Sequence, residues 1–192
     1  MAIEENRVPS KNRIHRNSLF PAEGPELCPL TGLTSRERFV ITRSWADLME
    51  NGREKLAHDL LLWMMSDING MREFFKMFKN MPLDQMAQDE RFVNHSHAIV
   101  ISLQELVNLL GQPSRLEIKL LDLITFHVDR RVNPVSISYF EQFRDKFHLF
   151  IVPKLKVDEN GEEVRAWRKL FNTIVEMGKS LEKPKSSCCC LL

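Results

Sequence analysis

Two segments of this sequence carry a histidine on a helical face that is otherwise apolar, and no other feature constrains the fold as strongly. In the segment from about 90 to 110, His95 fills the missing step of an apolar repeat made by Phe92, Ile99, Leu103, Leu106 and Leu110. In the segment from about 114 to 130, His127 follows the repeat formed by Leu116, Leu120 and Leu123. Both histidines are therefore expected to face the interior.

The number of these histidines decides between two interpretations. A single one is more often a core residue bonded to a carbonyl group or to water than a metal ligand. Two of them, each in place of an apolar residue, fit that interpretation less well, because burying both without partners is costly. The pattern therefore predicts a buried metal, for which imidazole nitrogen is a common ligand.

The rest of the sequence favours an all-α fold. Most of the seven glycines lie near predicted helix ends or in loops, and nearly all of the twelve phenylalanines lie inside periodic segments. Capping boxes are predicted at Thr34 with Glu37, Ser114 with Glu117, and Ser138 with Glu141. Residues 82–89 are interpreted as a polar loop, and the phenylalanine repeat from 140 to 150 as core packing. Six to eight helices are expected, the main ones at about 34–51, 53–66, 90–110, 114–130, 138–156 and 162–180.

Composition indicates one domain with two tails. Residues 1–32 are interpreted as a disordered, basic and proline-containing tail, 33–181 as the domain, and 182–192 as a tail with a cysteine cluster. A net charge of +1 indicates no nucleic-acid partner, and no apolar run approaches the roughly 18 residues of a membrane-spanning helix. The four cysteines form no disulfide framework, and no early segment resembles a secretory signal. An intracellular, cytoplasmic location is expected.

Over roughly 33 to 180 the sequence resembles the globin family. Trp45 resembles the tryptophan of the first globin helix, and Phe75 resembles the phenylalanine that stacks on haem, with Phe78 as a second aromatic of that corner. His95 resembles the distal histidine. His127 and the run HVDRRVNP resemble the proximal ligand and the segment that follows it. The segment FKNMPLDQMAQDERFVNH is most similar to neuronal, cytoglobin-type or invertebrate globins.

This resemblance implies a globin fold around a pocket for haem b, with iron held by His127. If one ring nitrogen of His127 binds iron, the other is expected to donate a hydrogen bond to the carbonyl of Leu123, one turn back. Arg131, or its neighbour Arg130, either reaches a haem propionate or is a solvated charge. The implied apolar contacts are Phe75 and Phe78 at the corner, Leu61 and Ile99 on the distal side, and Leu123 and Val132 on the proximal side.

Two roles remain open for His95. It either donates a hydrogen bond to bound dioxygen, which suits reversible gas binding, or coordinates iron itself, which suits electron transfer or redox sensing. The resemblance to neuronal globins favours the second role. The expected function is a haem-binding globin that binds oxygen or another diatomic gas, or exchanges electrons with a partner, as a sensor rather than a bulk carrier.

Two other functions compete with this one. The first is a haem-dependent oxidoreductase, such as a nitric-oxide dioxygenase, a nitrite reductase or a peroxidase-like enzyme, supplied by a separate electron donor. The second is a haem-free interaction scaffold, although the set of His95, His127 and Phe75 argues against it.

The sequence ends in KPKSSCCCLL, and its last four residues fit the C-a-a-X prenylation pattern. Cys189 is the expected geranylgeranyl site, because leucine is last, and Cys188 is available for palmitate. Two lipids would anchor the domain firmly at the cytoplasmic face of a membrane, whereas one lipid holds weakly. Cys190 at the first aliphatic position departs from the pattern, and the alternative is a thiol-rich tail without lipid.

Overall fold

The computed structural model describes residues 26–50, 52–129 and 134–182, and every structural statement below refers to these ranges. The described residues contain α-helices and no strand. The helices are α1 (Ser35–Met49), α2 (Arg53–Asp67), α3 (Met71–Phe74), α4 (Leu83–Met86), α5 (Glu90–Asn108), α6 (Pro113–Val128), α7 (Ile137–Leu155) and α8 (Glu162–Leu181). The prediction of an all-α fold with six to eight helices is confirmed. None of these helices has the length and apolar character needed to cross a bilayer.

The start of α1 follows the predicted capping box. The Thr34 hydroxyl accepts a hydrogen bond from the Glu37 backbone N–H at 3.1 Å, and the Glu37 carboxylate accepts one from the Thr34 N–H at 2.7 Å. The same carboxylate pairs with Lys169 of α8 at 3.1 Å. The local box therefore also ties the first helix to the last one.

Two other predicted capping boxes are wrong. Helix α6 begins at Pro113, after Gln112, because proline is well suited to the first helical position and starts the helix before Ser114. Helix α7 begins at Ile137, and its N-cap is Ser136, whose hydroxyl accepts from the Ser138 N–H at 3.2 Å. Both helices begin earlier than the boxes predicted.

The predicted loop at 82–89 is partly wrong, because it contains the short helix α4. Met86, at the end of α4, is fully buried, so this turn of helix covers apolar surface rather than extending into solvent. Ordered packing also begins before residue 33. The Cys28 N–H donates to the Leu33 carbonyl at 2.9 Å, and both side chains are buried.

Most buried side chains form a first core, to which α1, α2, α5, α6, α7 and α8 contribute. Its largest members are Trp45, Phe147, Phe150, Trp167 and Phe171. The Trp167 indole N–H donates to the Ser44 hydroxyl at 2.9 Å, and that of Trp45 donates to the Gln104 side-chain oxygen at 2.8 Å. Core packing by the phenylalanine repeat of α7 is confirmed, since Phe147 and Phe150 are buried and Phe143 packs on Phe171 with ring centroids 5.0 Å apart.

A smaller second core lies where α2, α3, α4 and the start of α5 meet. It consists of Leu61, Met65, Ile68, Met71, Phe78, Met86 and Phe92. Half-buried side chains pack around it, among them Phe75, Met81 and Ile99. Helix α5 contributes to both cores and so passes between them.

Candidate functional site

The two predicted iron ligands lie on a helical hairpin. Helices α5 and α6 are joined by the short connection 109–112, and Gly111 stands midway in the sequence between His95 and His127. Helices joined by so short a loop run roughly antiparallel, which places the two histidines at similar distances from the turn. Near the turn, Lys119 of α6 pairs with Glu105 of α5. The arrangement offers one imidazole from each helix.

In the segment of α5, Phe92, Leu103, Leu106 and Leu110 are buried as predicted, whereas His95 and Ile99 of the same row are not. Ser96 and Val100 are buried, whereas His95 and Ile99 are half-buried at the edge of this row. The Ser96 hydroxyl donates to the Val93 carbonyl at 2.8 Å, so its burial leaves no unpaired donor. His95 and Ile99 are one helical turn apart and share a strip beside the core.

Helix α6 repeats this arrangement. Leu116, Leu120 and Ile124 are buried, whereas Leu123 and His127 are half-buried and lie one helical turn apart. Each helix of the hairpin therefore presents a half-buried strip with one imidazole and one aliphatic side chain.

The hydrogen bond predicted for His127 is present. Its Nδ1 lies 2.7 Å from the Leu123 carbonyl oxygen. Because a carbonyl oxygen only accepts, Nδ1 carries the proton and donates it, and the in-plane lone pair is then on Nε2. This tautomer is the one that a histidine ligand needs to coordinate a metal through Nε2.

Two aromatic rings also flank the imidazole of His127. The Phe126 ring lies 5.3 Å from it at 83°, and the Phe140 ring of α7 lies 5.6 Å from it at 89°. Sequence reasoning missed both contacts, although an aromatic residue directly before the histidine was a visible signal. Together with the Leu123 carbonyl, these rings restrict rotation of the imidazole.

The corner before α5 contains the predicted aromatic pair, and the structure distinguishes its members. Phe75 is half-buried, and its ring centroid lies 5.1 Å from that of His95. Phe78 is 1% exposed and packs edge-on against Phe92 at 6.0 Å. The two phenylalanines stack at 6.1 Å with 27° between their planes. Phe75 is thus the aromatic residue beside His95, and the buried Phe78 packs against the ring of Phe75.

The remaining predicted contact residues divide between the two cores. Leu61 and Phe78 belong to the second core, and Phe75 and Ile99 pack on it; we call these four residues the distal wall. Leu123 packs on the first core. Val132 and Arg131 lie outside the described residues, as does Arg130.

Asp89 fixes the start of the helix that carries His95. Its carboxylate accepts from the Arg91 backbone N–H at 2.9 Å and pairs with the Arg91 guanidinium at 2.6 Å. The hydrogen bond from the Arg91 side chain is the main cause that lowers the pKa of Asp89 to about 2. The N-cap of α5 is therefore charged at any ordinary pH.

Three further histidines, His58, His97 and His148, lie among the described residues without joining this site. The His58 ring packs edge-on against Phe92 at 5.8 Å, and Nε2 of His148 lies 3.5 Å from a Glu159 carboxylate oxygen. Within the described ranges, no group of three or more His, Cys, Asp or Glu side chains is placed to hold a metal ion.

Similar solved structures show which class of fold this is. The chain is similar to the myoglobin of Aplysia limacina, with 23% identity, a TM-score of 0.69, and coverage of 79% of this chain and 99% of that one. It is also similar to a hexacoordinated haem protein from an anhydrobiotic tardigrade, with 22% identity, a TM-score of 0.66, and coverage of 79% and 98%. The helices are thus arranged as in myoglobin.

Sequence comparison identifies the family. A globin from Biomphalaria glabrata is 26% identical over 154 residues, which cover 79% of this chain and 98% of that protein. The family model described as Globin matches residues 58–177, which is more than half of the chain. The chain belongs to the globin family, as its resemblance predicted.

Proposed function

We propose that this globin binds haem b between α5 and α6, with His127 as the proximal iron ligand. The observation that carries the proposal is the 2.7 Å contact from His127 Nδ1 to the Leu123 carbonyl, because it leaves on Nε2 the lone pair with which an imidazole coordinates a metal. Globins are haem proteins as a family, and the tardigrade relative is named as one.

The residues on the hairpin fit an iron porphyrin. A porphyrin is a flat, largely apolar ring, so the residues that would hold it should offer apolar contacts and a ligand for its metal. Each helix would supply one imidazole and one aliphatic side chain to one face of the ring. These are His95 and Ile99 from α5, and His127 and Leu123 from α6. Leu61, Phe75 and Phe78 complete the distal side, and Val132 and Arg131 remain proposed contacts on the proximal side. When bound, haem supplies an iron that takes up a small gas or changes its oxidation state.

For His95 we favour coordination of the iron over hydrogen bonding to a gas. His95 and His127 are equally far in sequence from Gly111 in the connection between their helices, and the Phe75 ring beside His95 restricts its side chain. Coordination makes oxygen or another diatomic gas compete with an internal ligand. Such competition suits a sensor or an electron-transfer protein, which needs a separate redox partner, better than a bulk carrier.

Absorption spectra of the purified protein test both ligands. We expect the ferrous protein without added ligand to be low-spin and six-coordinate. His95→Leu should give a five-coordinate ferrous spectrum, whereas the control His97→Leu, two residues away and also half-buried, should keep the original one. A low-spin spectrum that survives His95→Leu contradicts the assignment of His95, and a five-coordinate wild type favours simple gas binding.

A substitution of His127 tests its assignment as the proximal iron ligand. His127→Gly should retain haem poorly in buffer without imidazole, and added imidazole should restore the spectrum by filling the space of the lost ring. Circular dichroism separates this result from unfolding, because the helical content should be unchanged. Undiminished haem retention by His127→Gly without imidazole contradicts the proposal.

We also propose that the carboxyl terminus anchors the protein to the cytoplasmic face of a membrane through a prenyl group on Cys189 and palmitate on Cys188. Both cysteines lie outside the described residues, and the support is the sequence pattern alone. Intact mass measured on protein from a eukaryotic cell should include both lipids. Cys189→Ser should lose both, because prenylation comes first, and Cys188→Ser should keep the prenyl group. An unmodified wild-type mass contradicts anchoring.

A further inference from the structure

Methionine is concentrated at the corner of the fold between α2 and α5. Of the nine methionines in the sequence, six lie between positions 64 and 86: Met64, Met65, Met71, Met77, Met81 and Met86. Met65, Met71 and Met86 are buried members of the second core, and Met81 packs on it half-buried. In the part of the chain that the structure describes, the first core has no buried methionine. The corner therefore differs chemically from the rest of the interior.

These methionines differ widely in their access to solvent. Met77 is 48% exposed and Met81 is half-buried, whereas Met65, Met71 and Met86 are 4%, 7% and 0% exposed. Oxidation of a thioether requires that the oxidant reach the sulfur, so susceptibility follows exposure. Met77 is thus the most exposed thioether of the cluster, Met81 and Met64 are half-buried, and the other three are closed to solvent.

The segment that carries them has little regular structure to hold it. Residues 75–82, between α3 and α4, form turns. The Arg72 guanidinium donates to the carbonyls of Phe78, at 3.3 Å, and of Met81. Apart from such bonds and the turn hydrogen bonds of its own backbone, the segment is held by the packing of Phe75, Phe78 and Met81 on the second core. A change in that packing should therefore move the segment.

The same segment leads to the distal wall. Phe75 lies at its beginning, stacks on Phe78, and places its ring 5.1 Å from His95. A displacement of residues 75–82 should therefore change the contact between the Phe75 ring and His95.

We propose that Met77 and Met81 are a reversible oxidation site for hydroperoxides, and that their oxidation loosens the distal wall. The sulfur attacks the outer oxygen of the hydroperoxide, the O–O bond breaks and an S–O bond forms. The proton of the transferred hydroxyl passes to the departing oxygen, which leaves as water or an alcohol. The sulfur loses two electrons and the hydroperoxide gains them. Met81 becomes polar and no longer fits its apolar surroundings. The effect on haem rests on the proposed function.

Peptide mapping of the oxidised holoprotein tests the site itself. After brief treatment with hydrogen peroxide, Met77 and Met81 should take up oxygen about tenfold faster than Met65, Met71 and Met86. Methionine sulfoxide reductases acting on both epimers should remove the added oxygen. Equal rates at all five methionines contradict the inference.

A second measurement tests whether oxidation of Met77 and Met81 weakens the retention of haem. Transfer of haem from the oxidised protein to an excess of apomyoglobin should be several-fold faster than from the untreated protein, and reductase treatment should reverse the change. That reversal excludes direct damage to the haem, which the reductases do not repair. The double variant Met77→Leu with Met81→Leu should resist the effect. The control variant Met49→Leu with Met177→Leu replaces two half-buried methionines at the edge of the first core and should respond as the wild type does.

The outcomes separate this inference from the proposed function. Selective oxidation with faster haem transfer supports the site even if His95 proves not to bind iron. If the protein binds no haem, amide hydrogen exchange of residues 71–89 reports the loosening in the haem-free protein. Unchanged haem transfer, or unchanged exchange in a haem-free protein, after full oxidation of Met77 and Met81 contradicts the inference.

Discussion

At the level of single residues, the orientation of His127 is restricted by contacts within α6 and by a contact from α7. The Leu123 carbonyl fixes the proton on Nδ1, and Phe126 and Phe140 restrict the turn of the ring about its own axis. The first contact is local to α6, whereas Phe140 belongs to α7. The plane of the proximal imidazole is thus expected to depend on how α7 packs beside α6.

Replacing Phe140 tests this dependence. Phe140→Leu should broaden or shift the electron paramagnetic resonance signal of the ferric low-spin protein, because the imidazole plane is less restricted. The lost aromatic contact should lower stability by about 1 kcal/mol. Phe143→Leu is the matched control, because Phe143 is half-buried on the same helix. Its ring contacts Trp63, Phe147 and Phe171. Identical spectra for Phe140→Leu and wild type would show that Phe140 only fills space.

At the scale of elements, helix ends and close helix contacts decide how firmly the site is held. Asp89 caps α5 and pairs with Arg91, and this ion pair lowers the pKa of Asp89 to about 2. A carboxyl group whose pKa is lower in the folded protein stabilises the fold above its ordinary pKa, and that contribution disappears as the pH falls through the lowered value. The cap is therefore weakened only in strong acid.

The variant Asp89→Asn separates the charge from the cap, because asparagine is also a good N-cap residue. The free energy of unfolding of the wild type should exceed that of the variant at neutral pH. This difference should shrink as the pH falls from the ordinary value of 3.8 towards about 2. Denaturant unfolding measured across this range gives the comparison. Asp84→Asn, which removes an exposed carboxylate from α4, controls for the change of net charge. A difference that does not vary with pH contradicts the role of the ion pair.

Helix α8 approaches α7 closely at Gly178. A Cβ atom at this position would lie 2.3 Å from Cδ1 of Ile137 and 3.6 Å from Cγ2 of Ile124. Because Gly178 and Ile137 are both buried, the isoleucine has little room to move aside. Sequence periodicity carried no signal for this contact.

Gly178→Ala should lower the free energy of unfolding by about 1–3 kcal/mol through overpacking. The gain in helix propensity, about 1 kcal/mol, offsets part of this loss. Gly111→Ala is the control, since a Cβ at Gly111 meets no atom within 4 Å. Urea unfolding of both variants gives the comparison, and a Gly178→Ala variant as stable as wild type contradicts the close contact.

At the level of the whole molecule, the residues proposed to hold haem pack on two cores of different character. The first core is large and rich in tryptophan, phenylalanine and branched aliphatic side chains, and it supports Leu123 on the proximal side. The second core has seven buried residues, three of them methionines, and it supports the distal wall. Flexible methionine side chains pack adaptably. The distal side is therefore expected to open more readily than the proximal side.

Hydrogen exchange should reveal this difference. Amide protons of residues 71–89 should exchange faster than those of α7 and α8, because short helices and turns with few buried contacts open locally. If haem binds as proposed, its addition should slow exchange in α5 and in residues 71–89 more than in α8. Mass spectrometry of peptides from the two forms measures this. Equal exchange across both cores contradicts the distinction between them.

The features that could be predicted from the sequence are those that depend on near neighbours in the chain. The helical repeats, the capping box of Thr34 with Glu37, and the bond from His127 to the Leu123 carbonyl all join groups within about one helical turn. Such groups meet whenever the helix forms, whatever packs against it. The placement of one histidine on each of two helices was readable for the same reason.

The features that the sequence left open depend on which distant element packs beside a given face. Ser96 and Val100 occupy the buried row of α5, rather than His95 and Ile99, because the neighbouring helices cover that side. Phe75, not Phe78, lies against His95, and the turn of α4 exists where its last residue, Met86, is buried. Periodicity identifies an apolar face to within about one residue, whereas burial is set by contacts between residues far apart in the chain.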